Sequence, residues 1–223
     1  MKLKNNVKLL ITCDSGAGTG KTTVAKFLSK KFRLDLLTSG LLYRYVTYKL
    51  LGSKKTATNV SFLKKIIKNI NSKLLKNPKL YSPEITDYTQ KIAKIKKVRL
   101  LLRGYQKKFS QKKLAILEGR DMGILFPRAD VKIFLKCSLK AAAKRRFKEF
   151  KRVNKKITLK MVKKAIRLRD QVDSTRKFSP LRIPKGAVVV DTTNISKKEM
   201  FRRVSKVIED RLLLKYGRNF KAR

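Results

Sequence analysis

Residues 12–23 read T-C-D-S-G-A-G-T-G-K-T-T, a glycine-rich stretch whose spacing suits the binding of phosphate groups. Phosphate-binding loops carry a glycine, four further residues and then Gly-Lys-Ser/Thr. Gly20, Lys21 and Thr22 match this pattern, whereas Ser15 occupies the place of the first glycine. In such a loop successive backbone N–H groups converge on an anion, and the following helix adds the partial positive charge of its N-terminus. The stretch therefore predicts a binding site for phosphate.

The side chains of the loop predict how a nucleoside triphosphate is held. In such a site Lys21 reaches the β- and γ-phosphates, and the Thr22 hydroxyl binds the Mg²⁺ that accompanies them. Ser15 keeps its backbone N–H, so the missing glycine matters only if the position needs a positive φ, part of which Gly16 could absorb. The alternative, an ordinary strand-to-helix turn with a chance lysine, is disfavoured by the three alternating glycines. The predicted triphosphate contacts are Ser15, Gly16, Ala17, Gly18, Thr19, Gly20, Lys21, Thr22 and Thr23.

A second set of candidate anion ligands is spread along the chain. Five arginines lie at positions that we interpret as outside periodic helix or strand patterns, or as the ends of helices and strands. The planar guanidinium group of arginine suits bidentate contact with phosphate. For any one of them alone a solvated surface arginine is the better interpretation, but the set is interleaved with a serine and two aspartates. Together they predict a second nucleotide-phosphate site facing the first. The residues are Ser39, Arg44, Arg99, Arg120, Asp121, Arg169, Asp173 and Arg176.

The composition argues against several classes of enzyme. The chain of 223 residues contains no histidine, the commonest general base and transition-metal ligand, and only two cysteines, Cys13 and Cys137. We therefore expect neither a zinc site nor a Ser-His-Asp hydrolase. With 42% hydrophobic residues the length suits one domain with one sizeable core. The first apolar run is too short for a signal peptide or a membrane span, so we expect a reduced, cytoplasmic protein without a membrane partner.

The charge of the chain is extreme. Sixty Lys and Arg residues against fourteen Asp and Glu residues give a formal net charge of +46, and no acidic residue lies in 36–83. Such a field attracts nucleotides, nucleic acid and acidic membranes alike. Because lysine has a similar density in every segment, a compositional bias is the simpler explanation. Aromatic residues interleaved with basic ones, typical of single-strand binding, are not concentrated anywhere. We expect small-molecule nucleotides as partners and no specific nucleic acid.

Short apolar runs alternate with helical patterns along the chain. Such runs of four to seven residues are typical of a buried parallel sheet, so the predicted architecture is α/β with three layers. A polar, lysine-rich and mostly helical segment, 46–97, interrupts the alternation, and a basic connection, 148–157, lies between two helices. The predicted strands are 7–12, 34–37, 114–117, 131–137 and 187–190, and the clearest predicted helices are 20–32 and 197–216.

Three longer motifs are similar to those of the bacterial cytidylate kinase family. They are L-L-T-S-G-L-L-Y-R, E-G-R-D-M-G-I-L-F-P-R-A-D-V-K-I-F-L and R-D-Q-V-D-S-T-R-K-F-S-P-L, in the family's order, and the similarity runs from residue 7 to about residue 211. The resemblance implies a single P-loop kinase domain over 1–223, with 46–97 as its monophosphate-binding insertion and 148–157 as its short lid. It also implies a monomer that transfers the γ-phosphate of ATP, bound with Mg²⁺, to CMP and dCMP.

The same resemblance implies roles for the second set of residues. Ser39 and Arg44 would contact the nucleoside monophosphate, with Arg99 on its base and phosphate side. Asp121 and Asp173 would accept hydrogen bonds from cytosine or sugar groups. The implied catalytic residues are Lys21, Arg120, Arg169 and Arg176, the implied metal ligand is Thr22, and the implied CMP contacts are Ser39, Arg44, Arg99, Arg120, Asp121, Arg169, Asp173 and Arg176.

Two positions besides Ser15 depart from the family pattern. Glu118 replaces an aspartate before Gly-Arg-Asp, which lengthens a carboxylate near the metal by one methylene. In the family a serine that precedes the arginine matched to Arg99 reads the base. Counting back from Arg99 without gaps places Gln90 at the position of that serine, with Thr89 beside it. Two alternatives therefore stay open, a kinase for UMP or another monophosphate on the same scaffold and an RNA-associated P-loop protein.

Overall fold

The computed structural model describes residues 2–53, 55–152 and 155–221. Five strands form one sheet: β1 (Leu9–Ser15), β2 (Asp35–Thr38), β3 (Leu114–Gly119), β4 (Val131–Lys136) and β5 (Val188–Asp191). Their order across the sheet is β2-β3-β1-β4-β5. Strand β1 pairs in parallel with both β3 and β4, and β4 pairs in parallel with β5. The predicted α/β class is confirmed, and every predicted strand is present within a few residues of its expected bounds.

The position of a strand in the sheet explains how apolar it is. Every residue of β1 except Leu10 is buried, because the strand lies between two neighbours and has covered faces. Strand β5 lies at an edge, and only Val190 of its residues is buried. Parallel strands end at the same edge, and the register pairs Cys13 with Glu118. The carboxyl ends of β1 and β3 therefore bring their polar residues together.

The helices begin where the sequence supplies a cap. Ser138, Thr158 and Ser196 each accept a hydrogen bond from the backbone N–H three residues further on, which starts a helix. Within the part of the chain described, no helix has both the length and the apolar character needed to cross a bilayer. The helices are α1 (Lys21–Phe32), α2 (Ser39–Ser53), α3 (Val60–Lys68), α4 (Pro83–Ile92), α5 (Lys96–Ser110), α6 (Met122–Leu125), α7 (Leu139–Lys151), α8 (Leu159–Thr175) and α9 (Lys197–Tyr216), with short 3₁₀ turns at Leu74–Lys76, Pro78–Tyr81 and Gly217–Phe220.

The first of two compact units contains most of the sheet. It comprises the residues up to Leu36 and those from Lys113 onward. Helices α1 and α9 share its main core with the strands, and Phe27 of α1 stacks on Phe201 of α9 with ring centroids 4.0 Å apart. A smaller apolar cluster joins α7 and α8 to the glycine-rich loop through Ala17. The loop is therefore supported by packing on the α7–α8 side as well as by the strand and helix that flank it.

The second unit, Leu37–Lys112, is helical and contains the segment 46–97. Its core includes four leucines from four different elements, and all four are completely buried. These leucines are Leu42, Leu63, Leu80 and Leu102. The lysines of the unit, which dominate its sequence, lie mostly on the outside of these helices.

Two details of the sequence interpretation were wrong. Arg44 and Arg169 lie inside α2 and α8, not at element ends or in non-periodic segments, whereas Arg99 lies in the first turn of α5. The predicted connection 148–157 begins too early, because residues 148–151 are the last turn of α7. Residues 153 and 154 of that predicted lid lie outside the described residues.

Candidate functional site

The glycine-rich loop connects β1 to α1 at the carboxyl edge of the sheet. Gly18 and Gly20 have φ values of 73° and 90°, in the left-handed region that favours glycine. Gly18 has a second requirement, because a Cβ there would lie 2.9 Å from the Ala142 carbonyl oxygen. Ser15 is still part of the strand, and the non-glycine residues with positive φ in the described chain are Arg33 and Ser179. The place of the first glycine therefore does not require glycine.

The hydroxyl of Ser15 has a partner inside the loop. It donates to the Gly16 carbonyl oxygen at 2.9 Å and accepts from the Thr19 hydroxyl at 2.6 Å. Both side chains are buried. The sequence analysis considered only the backbone N–H of Ser15. The structure shows in addition a hydroxyl bridge across the loop that a glycine could not form.

A buried carboxylate at the end of β3 contacts the start of α1. Lys21 Nζ and Thr22 Oγ1 both donate to Glu118 Oε1, the latter at 3.0 Å. The Glu118 side chain is only 3% exposed, so its charge is shielded from water and paired with Lys21. From the sequence, Glu118 was expected near the metal only through the family resemblance. The β-strand register, Cys13 opposite Glu118, is what brings it to the loop.

The oxygen atoms of Thr22 and Glu118 suit a hard divalent cation. Mg²⁺ binds through one or two carboxylate or hydroxyl oxygens and completes its shell with water and substrate phosphates. The described residues include no cluster of three or more His, Cys, Asp or Glu side chains that could hold a metal by themselves. The donor set therefore fits a magnesium ion that arrives with a phosphate ligand, and it does not fit an independent protein-only metal centre.

Five charged side chains from the segment after β3 and the C-terminal part of α8 form a cluster beside the loop. Arg120 contacts Asp170 at 2.9 Å and Asp173 at 2.7 Å. Arg176 contacts Asp173 at 2.7 Å and lies 4.0 Å from Asp121. The structure thus brings together four of the predicted residues from two distant motifs. Arg169, also predicted, is half-buried on the same helix.

Asp170 belongs to this cluster, although it was not among the predicted site residues. Its carboxylate accepts from the Ala17 backbone N–H, at 2.9 Å to Oδ1 and 3.2 Å to Oδ2. It lies so close to the loop that a Cβ on Gly16 would be 2.6 Å from Oδ2. The sequence did carry a signal, since Asp170 and Asp173 are three residues apart and such residues share one face of a helix.

A cavity of about 450 Å³ opens beside the loop in the first unit. Gly16, Ala17 and Asp170 line it together with the segments that follow β4 and β5. Thr192, after β5, is fully buried and donates to the carbonyl oxygen of Thr19 at 3.1 Å, and Arg145 of α7 donates to Thr192. These contacts tie the cavity walls to the loop. Arg145 and Thr192 were not among the site residues predicted from the sequence.

A buried aspartate links the two motifs of the first unit. Asp14 accepts from the backbone N–H groups of Met122 and Gly123, at 2.9 and 2.6 Å. Burial raises the pKa of Asp14 to about 7, against the lowering effect of these two donors. Burial also raises the pKa of the neighbouring Cys13 thiol, which is therefore a neutral core residue. Asp14 thus holds the segment after Arg120 next to the strand that leads into the loop.

The remaining predicted residues lie in the second unit. Ser39 accepts from Gln106 Nε2 at 2.7 Å. Arg44 donates to the Leu80 carbonyl oxygen at 2.7 Å and to the Thr86 hydroxyl at 2.8 Å. These contacts fix the direction of both side chains without using a carboxylate.

Arg99 is held in the same way. The side chain is almost fully buried, donates to the Ala93 carbonyl oxygen at 3.0 Å and lies 5.4 Å from the centre of the Tyr43 ring. An arginine buried against an aromatic ring keeps a fixed guanidinium plane.

The structure distinguishes Thr89 from Gln90 on α4. Gln90 is exposed, whereas the Thr89 hydroxyl donates toward the Thr47 hydroxyl at 3.1 Å. Thr89 lies on the helix face of the buried residues Ile85 and Ile92, four residues after one and three before the other. The ungapped count pointed to Gln90, but only Thr89 faces the interior of the unit. The i, i+4, i+7 spacing in the sequence already indicated this.

The phosphate-binding loop, the Lys21–Glu118 pair and the parallel sheet define a P-loop α/β protein that binds nucleotide phosphates. A family model described as cytidylate kinase matches residues 11–210. The chain therefore belongs to the cytidylate kinase family, and the resemblance seen in the three motifs is confirmed.

Curated relatives cover nearly the whole chain. A protein named cytidylate kinase from Fusobacterium nucleatum subsp. nucleatum is 37% identical over 212 residues, which are 90% of this chain and 97% of the relative. One from Clostridium tetani is 34% identical and covers 95% of this chain and 99% of its own length. Among solved structures, a gluconokinase from Sinorhizobium meliloti has a TM-score of 0.50 at 10% identity, covering 96% of this chain and 99% of its own. That likeness supports the fold alone.

Proposed function

We propose that the chain transfers the γ-phosphoryl group of ATP to CMP and dCMP, with ADP and CDP or dCDP as products. The observation that carries the proposal is the Arg120–Asp173–Arg176 cluster beside a complete phosphate loop, in a chain that belongs to the cytidylate kinase family. The names of the curated relatives, cytidylate kinase, support CMP as the acceptor. The absence of histidine is compatible with this chemistry, because the acceptor phosphate is already an adequate nucleophile and needs no general base.

The loop 15–23 is the proposed site for the triphosphate of ATP. Its backbone N–H groups would bind the β- and γ-phosphates, and Lys21 would exchange Glu118 for a phosphate oxygen. Thr22 and Glu118 would hold the Mg²⁺ that accompanies ATP. When bound, this ion supplies positive charge to the bridging and transferring phosphate oxygens. The proposed catalytic gain is positioning and charge stabilisation rather than covalent chemistry.

One lysine and three arginine side chains are proposed to stabilise the phosphoryl group during its transfer. Negative charge spreads over three equatorial oxygens in this transition state, and bidentate guanidinium groups are suited to neutralise it. Since Arg120 and Arg176 are already paired with aspartates, they are held in place before the substrate arrives. The proposed catalytic residues are Lys21, Arg120, Arg169 and Arg176.

The second unit is the proposed site for most of the monophosphate. Ser39, Arg44 and Arg99 would contact CMP, and Asp121 and Asp173 of the first unit would accept hydrogen bonds from its cytosine amine or sugar. The amine of cytosine is a donor that uracil lacks, so only an acceptor can recognise it. Thr89 is the proposed hydroxyl at the base, in place of the exposed Gln90.

Segments 46–97 and 148–157 are the proposed elements that close over the substrates and exclude water. Water would otherwise compete with CMP for the phosphoryl group. The protein is proposed to act as a monomer in the cytoplasm, and its two cysteines are both free thiols in the structure.

The test is formation of ADP in a coupled assay with a panel of monophosphates: CMP, dCMP, UMP, AMP and GMP. CMP and dCMP are expected to give the highest kcat/KM. Equal efficiency with UMP would overturn the choice of cytidylate while leaving a monophosphate kinase, and no ADP with any monophosphate would overturn the class. A parallel titration with single-stranded RNA at rising salt is expected to show no specific, salt-resistant binding.

A further inference from the structure

The carboxylate of Asp170 occupies the kind of position that a phosphate oxygen takes in a phosphate-binding loop. Its two oxygens lie 2.9 and 3.2 Å from the backbone nitrogen of Ala17, and the loop at Gly16 approaches it closely. Converging backbone N–H groups are the feature by which such loops bind anions. In the structure at least one of these donors is therefore already used by an anion from the protein itself.

Asp170 also holds the arginine that the proposed mechanism needs. Arg120 contacts Asp170 at 2.9 Å and Asp173 at 2.7 Å. One guanidinium is thus shared between two carboxylates, and only one of these, Asp170, also contacts the loop. The Asp170 carboxylate therefore contacts both the loop and Arg120.

The bridge can open without disturbing the core. The Asp170 side chain is 33% exposed, compared with 13% for Asp173, and it lines the cavity beside the loop. The cavity offers space for a displaced Asp170 side chain. Two anions cannot share one donor set in a partly buried site without strong repulsion, so the triphosphate and the bridging carboxylate exclude each other.

We propose that Asp170 is a positioning residue that fills the phosphate loop between turnovers and is displaced by the triphosphate of the donor. Displacement releases Arg120 from one of its two carboxylates, so that Arg120 becomes available to the transferring phosphoryl group only when a donor is bound. This deepens the proposed function and rests on it as far as the role of Arg120 is concerned. The competition at the loop does not depend on which acceptor the enzyme uses.

The test of the competition is binding of inorganic tripolyphosphate, and of ATP, to the whole chain by calorimetry without any monophosphate. Asp170→Asn keeps the shape of the side chain and removes its charge. Loss of a charged hydrogen-bonding competitor is expected to tighten binding of both ligands about tenfold. Asp170→Glu retains a carboxylate that can pair with Arg120, and its affinity is expected to stay within about twofold of the parent chain.

The matched control is Asp191→Asn. Asp191 lines the same cavity and its carboxylate accepts from the Thr193 backbone N–H, but it lies on β5 and has no hydrogen bond to the loop among its described contacts. Its substitution removes the same charge and is expected to change tripolyphosphate affinity by less than about twofold, since exposed charges are well screened. Thermal unfolding of each variant shows whether it is folded.

Kinetics separate positioning from a merely structural role. Asp170→Asn is expected to lower KM for ATP, because the variant no longer holds a competing anion at the loop; a structural defect would raise KM. The proposal is overturned if folded Asp170→Asn binds tripolyphosphate no more tightly than the parent, or if Asp191→Asn tightens it equally. Absence of turnover with CMP would overturn the proposed function, but the binding experiment would still decide the role of Asp170.

Discussion

The two units hold their arginines in different ways. In the first unit Arg120 and Arg176 are paired with aspartates of α8. In the second unit the described contacts of Arg44 and Arg99 include backbone carbonyl oxygens, a hydroxyl and the face of Tyr43. A carboxylate competes with an incoming phosphate, whereas a neutral acceptor orients the guanidinium and leaves its charge to the ligand. The first arrangement suits residues that exchange partners during a reaction, and the second suits residues that bind and release a substrate anion.

Substitution of Lys21 is expected to have the largest effect on turnover, because Lys21 is proposed to exchange Glu118 for a phosphate oxygen of ATP. Lys21→Ala is expected to lower turnover by at least about 10²–10³-fold, as for the loss of a main charge-stabilising group. The measurement is kcat in the coupled assay. Since Lys21 also neutralises the buried Glu118, unfolding of the variant is measured in parallel. Lys26→Ala, an exposed lysine on the same helix, is the control. Activity of Lys21→Ala within about tenfold of the parent (about 1.4 kcal/mol of barrier) would refute the loop assignment.

Substitution of Arg120 tests whether its ion pairs with aspartates contribute to turnover and to stability. Arg120→Ala removes the cation between Asp170 and Asp173 and leaves Asp173 with Arg176 alone, so it is expected to lower turnover about 10²-fold and stability by about 2 kcal/mol. Arg44→Ala is expected to raise KM for CMP with a smaller loss of stability, since its described hydrogen bonds go to a carbonyl oxygen and a hydroxyl, which are neutral acceptors. Urea denaturation and steady-state kinetics on both variants make the comparison. If Arg44→Ala is the more destabilising of the two, the contrast between the units is wrong.

Thr89 and Gln90 form a matched pair for the choice of base. CMP and dCMP are expected to exceed UMP in kcat/KM by at least about tenfold, because buried hydrogen-bonding groups reject an analogue that leaves them unpaired. Thr89→Val, nearly isosteric but without the hydroxyl, is expected to reduce this ratio. Gln90→Ala is expected to leave it unchanged, since Gln90 is exposed. The reverse outcome would return the base-reading role to Gln90.

Ser15 is expected to show the smallest effect. Ser15→Gly restores the usual glycine but removes the hydroxyl bridge to Thr19, which is expected to cost about 1 kcal/mol of stability and to weaken ATP binding only a few-fold. The backbone N–H, the one contribution expected of Ser15 from the sequence, is retained in Ser15→Gly. Chemical denaturation and ATP binding of Ser15→Gly and Ser15→Ala distinguish the two expectations, because the alanine variant loses the hydroxyl without gaining backbone freedom.

The predictable parts of the molecule are those determined by local sequence. The apolar runs predicted all five strands described, because burial of a strand determines its composition. The Gly-Lys-Thr pattern predicted the loop, because its backbone geometry requires glycine. The position of Asp170 over the loop could not be read in this way, since it depends on how α8 packs against Ala17. Arg44 and Arg99 were recognised as candidates, but their positions in helices α2 and α5 were not predicted.

Asp14 gives the fold a proton-linked behaviour that a chain without histidine would not be expected to have. Its pKa in the folded protein, about 7, lies above that of an aspartate in the unfolded chain, so the folded state retains a proton that the unfolded state has released. Between pH of about 4 and 7 unfolding therefore liberates up to about one proton at this position, and stability declines as pH rises through that window. Calorimetry in buffers of different ionisation enthalpy would detect this proton as a buffer-dependent heat of unfolding, and Asp14→Asn would abolish it.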